Sequence, residues 1–183
     1  MKTIWRANIS LDLDDIKNNP VPNILNTLKN FNFNESALSE LNIIITELYN
    51  NSVDHGLLDL DSSLKQEEKG LEKYYNLRKE RLNELSTGII QFDFCLDKNT
   101  LTIEASDSGK GFDYTTFISK PLVYEKHSGK GLYIINQIAS SVLYNFEKNI
   151  LTVEYKIPSY SATQVSKPAQ VTKFKAGASD SLK

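Results

Sequence analysis

The sequence predicts an α+β fold, a two-layer α/β sandwich with helices on one face of a mixed sheet. Apolar and polar residues alternate over residues 90–96 and again over 101–107, which is the pattern of two half-buried strands. Apolar residues recur at helical spacing before this pair, over residues 36–55, and after it, over residues 132–139. Strands flanked by amphipathic helices favour one sheet packed against a layer of helices.

The remaining elements follow from turn signals. We expect a first strand over residues 4–13 and a short helix over residues 21–31, after a turn that contains proline. Residues 142–157 are expected to form a second hairpin. From 158 to 183 the residues Ser, Thr, Ala, Lys and Gly dominate, so we expect a disordered tail behind a single domain of residues 1–157.

Composition fits one soluble domain. The chain has 183 residues, 40% of them hydrophobic and 24% charged, which suffices for one core. A net charge of −2 provides no basic face for nucleic acid, and no apolar run reaches the roughly 18 residues of a membrane span. The N-terminus lacks the apolar core of a signal peptide, and the single Cys95 excludes an internal disulfide. We therefore expect a cytoplasmic protein in which Cys95 is a packing residue.

Asp107 is predicted to recognise a base. Apolar residues of 101–105 lie on one face of the predicted strand, and the same parity carries the Asp107 carboxylate to the core side. An ionised carboxylate there needs a donor in place of water, and the exocyclic amine of adenine would provide one. Gly109 and Gly111 would let the following backbone turn sharply and approach a ligand closely.

Glu47, Asn51 and His55 lie four residues apart and share one stripe of the predicted 36–55 helix. Glu47 could orient or deprotonate a hydroxyl or a water molecule, and the amide oxygen of Asn51 could ligate Mg²⁺ between phosphates. The alternative is that Glu47 and Asn51 belong to the solvated face of an amphipathic helix. His55 is expected to have a structural role, as a C-terminal cap before Gly56.

A glycine pair precedes the last predicted helix, in the order Gly129, Lys130, Gly131, Leu132. A helix N-terminus offers unpaired amides and a partial positive charge to phosphates. The pair is a weak signal alone. It gains weight because it is the third of an ordered series, after a Glu-x3-Asn-x3-His-Gly helix and an Asp-x-Gly-x-Gly turn.

This series, over residues 36–157, resembles the GHKL ATPase superfamily, which includes histidine kinases, gyrase B subunits and MutL proteins. The resemblance implies a Bergerat-type fold that binds ATP with Mg²⁺. It assigns the catalytic base to Glu47, Mg²⁺ to Asn51 and adenine recognition to Asp107. Further nucleotide contacts are implied for the glycine-rich segments and their neighbours, namely Gly109, Gly111, Phe112, Lys126, Gly129, Lys130, Gly131 and Leu132.

Residues 47–56 look most similar to the serine kinases that act as anti-sigma factors in bacterial partner switching. The segment at 56–75 is similar to kinase-like domains at the C-terminus of response regulators that carry a PP2C-type phosphatase domain. The resemblance implies a Mg²⁺-ATP-dependent protein serine kinase with a STAS-type anti-sigma-factor antagonist as substrate. Homodimerisation is suggested only by this resemblance. Two alternatives remain: an ATP-binding module that sequesters a sigma or anti-sigma factor with little or no kinase activity, and, more distantly, a histidine-kinase-type ATP domain.

The chain departs from the family pattern before the second glycine pair. Simple anti-sigma kinases usually carry an Arg there, whereas this chain has Lys126, which cannot form the bidentate clamp of Arg. Residues 112–128 are expected to form a lid over the nucleotide. His127, within that segment, is not expected to bind a metal.

The second departure is an insertion at residues 57–87, which is longer than a minimal kinase requires. Ser63 and Gln66 have the spacing of a capping box. We expect a helical hairpin or a long helix packed beside the site, and the alternative is a charged surface helix with no partner. The residues at helical spacing on its apolar side are Leu71, Tyr75, Leu82 and Leu85.

Overall fold

A computed structural model of the protein describes residues 4–31, 33–111, 130–158 and 173–174. The elements are, in chain order, β1 (Ile4–Leu11), α1 (Leu13–Lys17), α2 (Val21–Lys29), α3 (Glu35–Asn51), a π-helical turn (Ser52–Leu57), a 3₁₀ helix (Ser62–Gln66), α4 (Gly70–Glu84), β2 (Ile90–Asp97), β3 (Thr100–Asp107), α5 (Lys130–Ile138), β4 (Ser141–Asn145), β5 (Ile150–Lys156) and β6 (Lys173–Phe174).

The strands form one sheet in the order β4-β5-β3-β2-β1-β6. Neighbouring strands from β4 to β1 run antiparallel, and β6 adds a two-residue parallel pairing beside β1. Along β2, Phe92 and Phe94 are buried while Gln91 and Asp93 are exposed, so one face of the sheet is covered and the other meets solvent. The predicted α+β sandwich on a mixed sheet is confirmed.

The hydrophobic core lies between the covered face and the helices. Long helix α3 supplies fully buried side chains to it, and α1 and α2 add further ones. At one edge, Trp5 of β1 packs on Phe31 with ring centroids 4.2 Å apart. Burial of each large side chain stabilises the fold by about 1.5–3 kcal/mol, so this face holds α3 firmly against the sheet. The buried helical residues include Ile16, Ile24, Leu28, Leu41, Ile44, Ile45 and Leu48.

The first strand is shorter than predicted, because a capping box starts α1 immediately after Leu11. The Asp12 carboxylate accepts hydrogen bonds from the backbone amides of Asp14 at 3.0 Å and Asp15 at 3.2 Å. The Asp15 carboxylate accepts one from the Asp12 amide at 3.3 Å. The expectation of a strand through residue 13 was therefore wrong. The two hairpins and the helices beginning near residues 21, 36 and 132 are confirmed within a few residues.

The insertion is helical, as expected, but its details differ from the prediction. The 3₁₀ helix is capped by Asp61, whose carboxylate accepts from the Ser63 amide at 2.8 Å, so the predicted capping box at Ser63 and Gln66 is wrong. On α4 the buried aromatic residue is Tyr74, whereas Leu71 and Tyr75 are 53% and 61% exposed. A buried polar contact of the Tyr74 hydroxyl, described below, sets this rotation of the helix.

Of residues 158–183, the structure describes residue 158 and strand β6, and the rest of the predicted tail lies outside the described residues. None of the helices in the described ranges combines the length and apolar character that crossing a bilayer would require.

Candidate functional site

Asp107 ends β3 with one carboxylate oxygen engaged. Its Oδ1 accepts hydrogen bonds from the backbone amide of Gly109 at 2.9 Å and from Nδ2 of Asn149 at 3.2 Å. Burial raises the pKa of Asp107, and these two hydrogen bonds oppose that rise. Oδ2 accepts no hydrogen bond from the described residues, so it is available to a donor on a ligand.

The loop after Asp107 lies directly against the π-helical turn. A Cβ at Gly56 would overlap the Asp107 carboxylate, and a Cβ at Gly109 would overlap the carbonyl oxygen of Gly56. Glycine at 56 therefore leaves room for the Asp107 side chain, and glycine at 109 allows the two backbones to approach closely. Gly111 has a φ of 80°, in the left-handed region that favours glycine. The glycines thus allow the end of β3 to pack against the end of the α3 helical stretch.

Asn149, in the turn between β4 and β5, belongs to this site and was missed by the sequence analysis. Its Nδ2 also donates to the Asp107 carbonyl at 3.1 Å. The Tyr144 hydroxyl donates to Asn149 Oδ1 at 3.1 Å, which keeps Nδ2 directed at Asp107. The residue has a φ of 50°. Asn is common in turns and tolerates such a positive φ. No spacing in the sequence, however, indicates that Asn149 contacts Asp107.

Glu47 lies on α3 and lines a cleft of about 930 Å³, together with Asn51, Lys65 and Gly131. Within the described part of the chain, its carboxylate forms no hydrogen bond or ion pair. Burial raises the pKa of Glu47, the nearby Lys65 lowers it, and Asp54 raises it again. An unpaired carboxylate with a raised pKa in a cleft suits a general base.

The first turn of α5 lies against Glu47. A Cβ at Gly131 would overlap the Glu47 carboxylate, so only glycine allows this approach. Helix α5 begins at Lys130, and its first amides have no partner within the helix, which suits phosphate oxygens. Leu132 is buried in the hydrophobic core, where it anchors the start of α5.

Asn51, one turn beyond Glu47, has an orphaned polar atom. Its Nδ2 is buried and has no hydrogen-bond partner among the described residues, although the residue lines the cleft. A buried amide without a partner carries a free-energy cost that a ligand would remove. Rotation of the amide group presents its oxygen instead, the type of ligand that Mg²⁺ prefers. The side chain at position 51 therefore fits a cation held between phosphates.

The predicted residues fall into two groups along one helical stretch. Glu47, Asn51 and Gly131 line the same cleft, whereas Asp107 and its glycines meet the chain at Gly56. Gly56 follows Glu47 by nine residues, so the two positions lie roughly two turns apart along the helical stretch. The remaining predictions lie outside the described residues: Phe112, Lys126, Gly129, His127 and the lid at 112–128.

A second cluster next to the cleft was not predicted. Asp54 is buried in the π-helical turn, and its Oδ1 accepts from Nε of Arg78 at 2.5 Å. Its Oδ2 accepts from the Tyr74 hydroxyl at 2.8 Å. Burial raises the pKa of Tyr74, and the Asp54 charge and hydrogen bond raise it further. These contacts fasten inserted helix α4 to the end of the α3 stretch.

His55 has a structural role, as expected, but not as a C-terminal cap before Gly56, because the helical stretch continues through Leu57. Its Nδ1 lies 2.8 Å from the carbonyl oxygen of Leu60, and its Nε2 lies 3.1 Å from Oγ of Ser62. Burial lowers the pKa of His55, which favours a neutral ring that donates to the carbonyl and accepts from the hydroxyl. His55 therefore orders the loop into the insertion.

The sandwich and its cleft define a nucleotide-binding domain, with an acid and an amide on one helix facing a glycine-initiated second helix. Residues 20–155 match the family of histidine kinase-like ATPase domains, and the chain belongs to this family. The match confirms an ATP-binding, kinase-like module of the GHKL type. No curated protein matches the chain.

Proposed function

We propose that the protein is a Mg²⁺-ATP-dependent serine kinase of the anti-sigma type, which phosphorylates a STAS-type antagonist in bacterial partner switching. The observation that supports this most is the Glu47 carboxylate, which lacks a partner among the described residues and lies against Gly131 in an open cleft. Burial of an unpaired acid lowers the stability of the fold. A domain that only binds nucleotide would gain nothing from such an acid.

Each residue of the site has a distinct task in this proposal. Asp107 receives the adenine amine on its unused oxygen, and the first amides of α5 receive phosphate oxygens. Asn51 would hold Mg²⁺, which neutralises phosphate charge when bound. Glu47 accepts the proton of the serine hydroxyl as the serine oxygen attacks the terminal phosphorus of ATP, whose bond to the bridging oxygen breaks to release ADP. The raised pKa of Glu47 makes it a better base than an exposed carboxylate.

The shape of the cleft supports a protein substrate. It extends from Glu47 between α2 and α3, where Leu25 and Ser39 line it, to inserted helix α4, where Tyr75 lines it. A peptide segment that carries the acceptor serine could therefore approach Glu47 along the part of the cleft that α2, α3 and α4 line.

The direct test is incubation of the protein with labelled ATP, Mg²⁺ and a STAS-type antagonist. We expect label on a serine of the antagonist, in a product stable to acid. An acid-labile product would indicate histidine chemistry instead. A nucleotide-dependent complex with the antagonist and no label transfer would contradict the kinase and favour the second candidate.

The second candidate is an ATP-binding module that sequesters a sigma or anti-sigma factor with little or no transfer. Leu71 and Tyr75 favour it, because they lie one turn apart on α4 and both expose more than half of their surface. Under this alternative, Leu71→Ser would abolish ATP-dependent complex formation, whereas it would leave the affinity for ATP unchanged.

A further inference from the structure

Lys65 is a cation that the inserted segment brings into the nucleotide cleft. It lies on the 3₁₀ helix and lines the same cleft as Glu47, Asn51 and Gly131. The glycine-initiated helix α5 and the base Glu47 meet at this point. Lys65 therefore faces the region in which the terminal phosphate of a nucleotide would lie.

Lys65 is held in place by a buried scaffold. Its Nζ lies 3.9 Å from the centroid of the Tyr74 ring, and the hydroxyl of Tyr74 is fixed by Asp54. A Cβ at Gly70 would overlap the carbonyl oxygen of Leu64, so the start of α4 packs tightly on the 3₁₀ helix. This packing orders the lysine before any ligand binds, which reduces the entropy lost on binding.

The charge of Lys65 is not neutralised by an ion pair with any described residue. Asp54 already forms an ion pair with Arg78, and Glu47 affects Lys65 only through its charge, without a hydrogen bond. Burial lowers the pKa of Lys65, and the charges of Asp54 and Glu47 oppose this. A half-buried ammonium without a bonded carboxylate is a ready partner for an anion.

We propose that Lys65 contacts the terminal phosphate of bound ATP, so that the insertion supplies a cation for phosphoryl transfer. This inference rests on the proposed function, because it requires ATP in the cleft with its phosphates at α5. A lysine acts there as a point charge on the oxygens that accumulate negative charge during transfer. ADP lacks the group that Lys65 would contact, so Lys65 should favour ATP over ADP.

The test compares the dissociation constants of ATP and ADP, with Mg²⁺, by calorimetry for Lys65→Gln, Lys65→Arg and Lys73→Gln. Lys73 is the matched control, since it lies in the same insertion but is 59% exposed and paired with Glu67. We expect Lys65→Gln to weaken ATP by about tenfold or more, as for a hydrogen bond to a charged group, and ADP by less than about twofold. Lys65→Arg should retain most ATP affinity, and Lys73→Gln should change neither.

An equal loss for both nucleotides, or no loss, would overturn the assignment while leaving the kinase proposal intact. If Lys65→Gln moved only the pH dependence of transfer, Lys65 would act on Glu47 and not on the phosphate, and the assignment would again be wrong. Failure of the wild-type protein to bind ATP would overturn both proposals. Thermal unfolding of Lys65→Gln at the wild-type midpoint shows that the variant is folded.

Discussion

Glu47 and Asp54 are two carboxylates on one continuous helical stretch, seven residues apart, and their surroundings differ completely. Asp54 is buried and uses both oxygens, one with Arg78 and the other with Tyr74. Glu47 is half-buried and has no bonded partner in the described ranges, although Lys65 lies near enough to affect its pKa. The first carboxylate fastens an insertion to the domain, and the second is available for chemistry.

This contrast shows that residue type and spacing do not assign a role by themselves. Glu47 and Asn51 line the cleft, whereas the Asp54 carboxylate contacts α4, which begins sixteen residues later, at Gly70. The supply of hydrogen-bond partners separates the two acids, because a buried carboxylate whose two oxygens already hold partners is kept in place by them and is not directed at a substrate proton.

The largest effect on stability is expected for Asp54→Ala. Removal of the carboxylate leaves the Arg78 guanidinium and the Tyr74 hydroxyl without their partner, and loss of one member of a buried pair costs about 3 kcal/mol. Chemical denaturation measures the change. Glu67→Ala is the control, since its partner Lys73 lies at the surface and such pairs contribute about 0–1 kcal/mol. Similar losses in both variants would contradict a structural role specific to Asp54.

Asp107→Asn should weaken ATP binding by about 1–3 kcal/mol, because it replaces a charge-assisted acceptor with an amide at the adenine position. Calorimetry with ATP and GTP measures this, and the wild-type protein should prefer ATP. Asn149→Ala should weaken ATP less, since Asn149 only orients the carboxylate. Equal affinity of the wild type for ATP and GTP would remove Asp107 from base recognition.

The pH dependence of transfer should reveal the raised pKa of Glu47. The base must be deprotonated, so the rate should rise with pH through a pKa above the ordinary value of 4.5. Lys65→Gln removes a cation that lowers this pKa, so the acidic limb should move to higher pH. The folded state keeps a proton on Glu47 above pH 4.5, so Glu47 should make stability fall as pH rises from 4.5 to the raised pKa. A limb at or below pH 4.5 would exclude Glu47 as the titrating base.

The parts of the fold that could be predicted are those with a long periodic signal. Alternation over β2 and β3, with a turn between them, specified their pairing, and the helical spacing of α3 specified its buried stripe. The parity of β3 also brought the Asp107 carboxylate to the helix side, where it meets Gly56. Local periodicity determines these features, so they can be predicted from a single sequence.

The parts that escaped prediction depend on contacts between distant residues or on short signals. The Asp54–Arg78 pair spans 24 positions, and the Asn149–Asp107 hydrogen bonds span 42. No periodicity encodes such pairs. The five-residue helix α1 was not predicted, and its first residue, Leu13, was assigned to the preceding strand, although its acidic capping box at Asp12 and Asp15 was visible in the sequence. In the insertion, Leu82 and Leu85 of the predicted apolar side pack against the core, whereas Leu71 and Tyr75 are exposed and the buried aromatic residue is Tyr74, whose hydroxyl binds Asp54.

The catalytic role of Glu47 is tested most directly by the effect of Glu47→Gln on ATP affinity and on phosphoryl transfer to a STAS-type antagonist. Gln keeps the shape of the side chain beside Gly131 but cannot accept the serine proton. We expect the dissociation constant of ATP to stay within about twofold and transfer to fall by roughly 10²-fold or more, as for a removed general base. Transfer by Glu47→Gln at the wild-type rate would show that the Glu47 carboxylate is not the catalytic base.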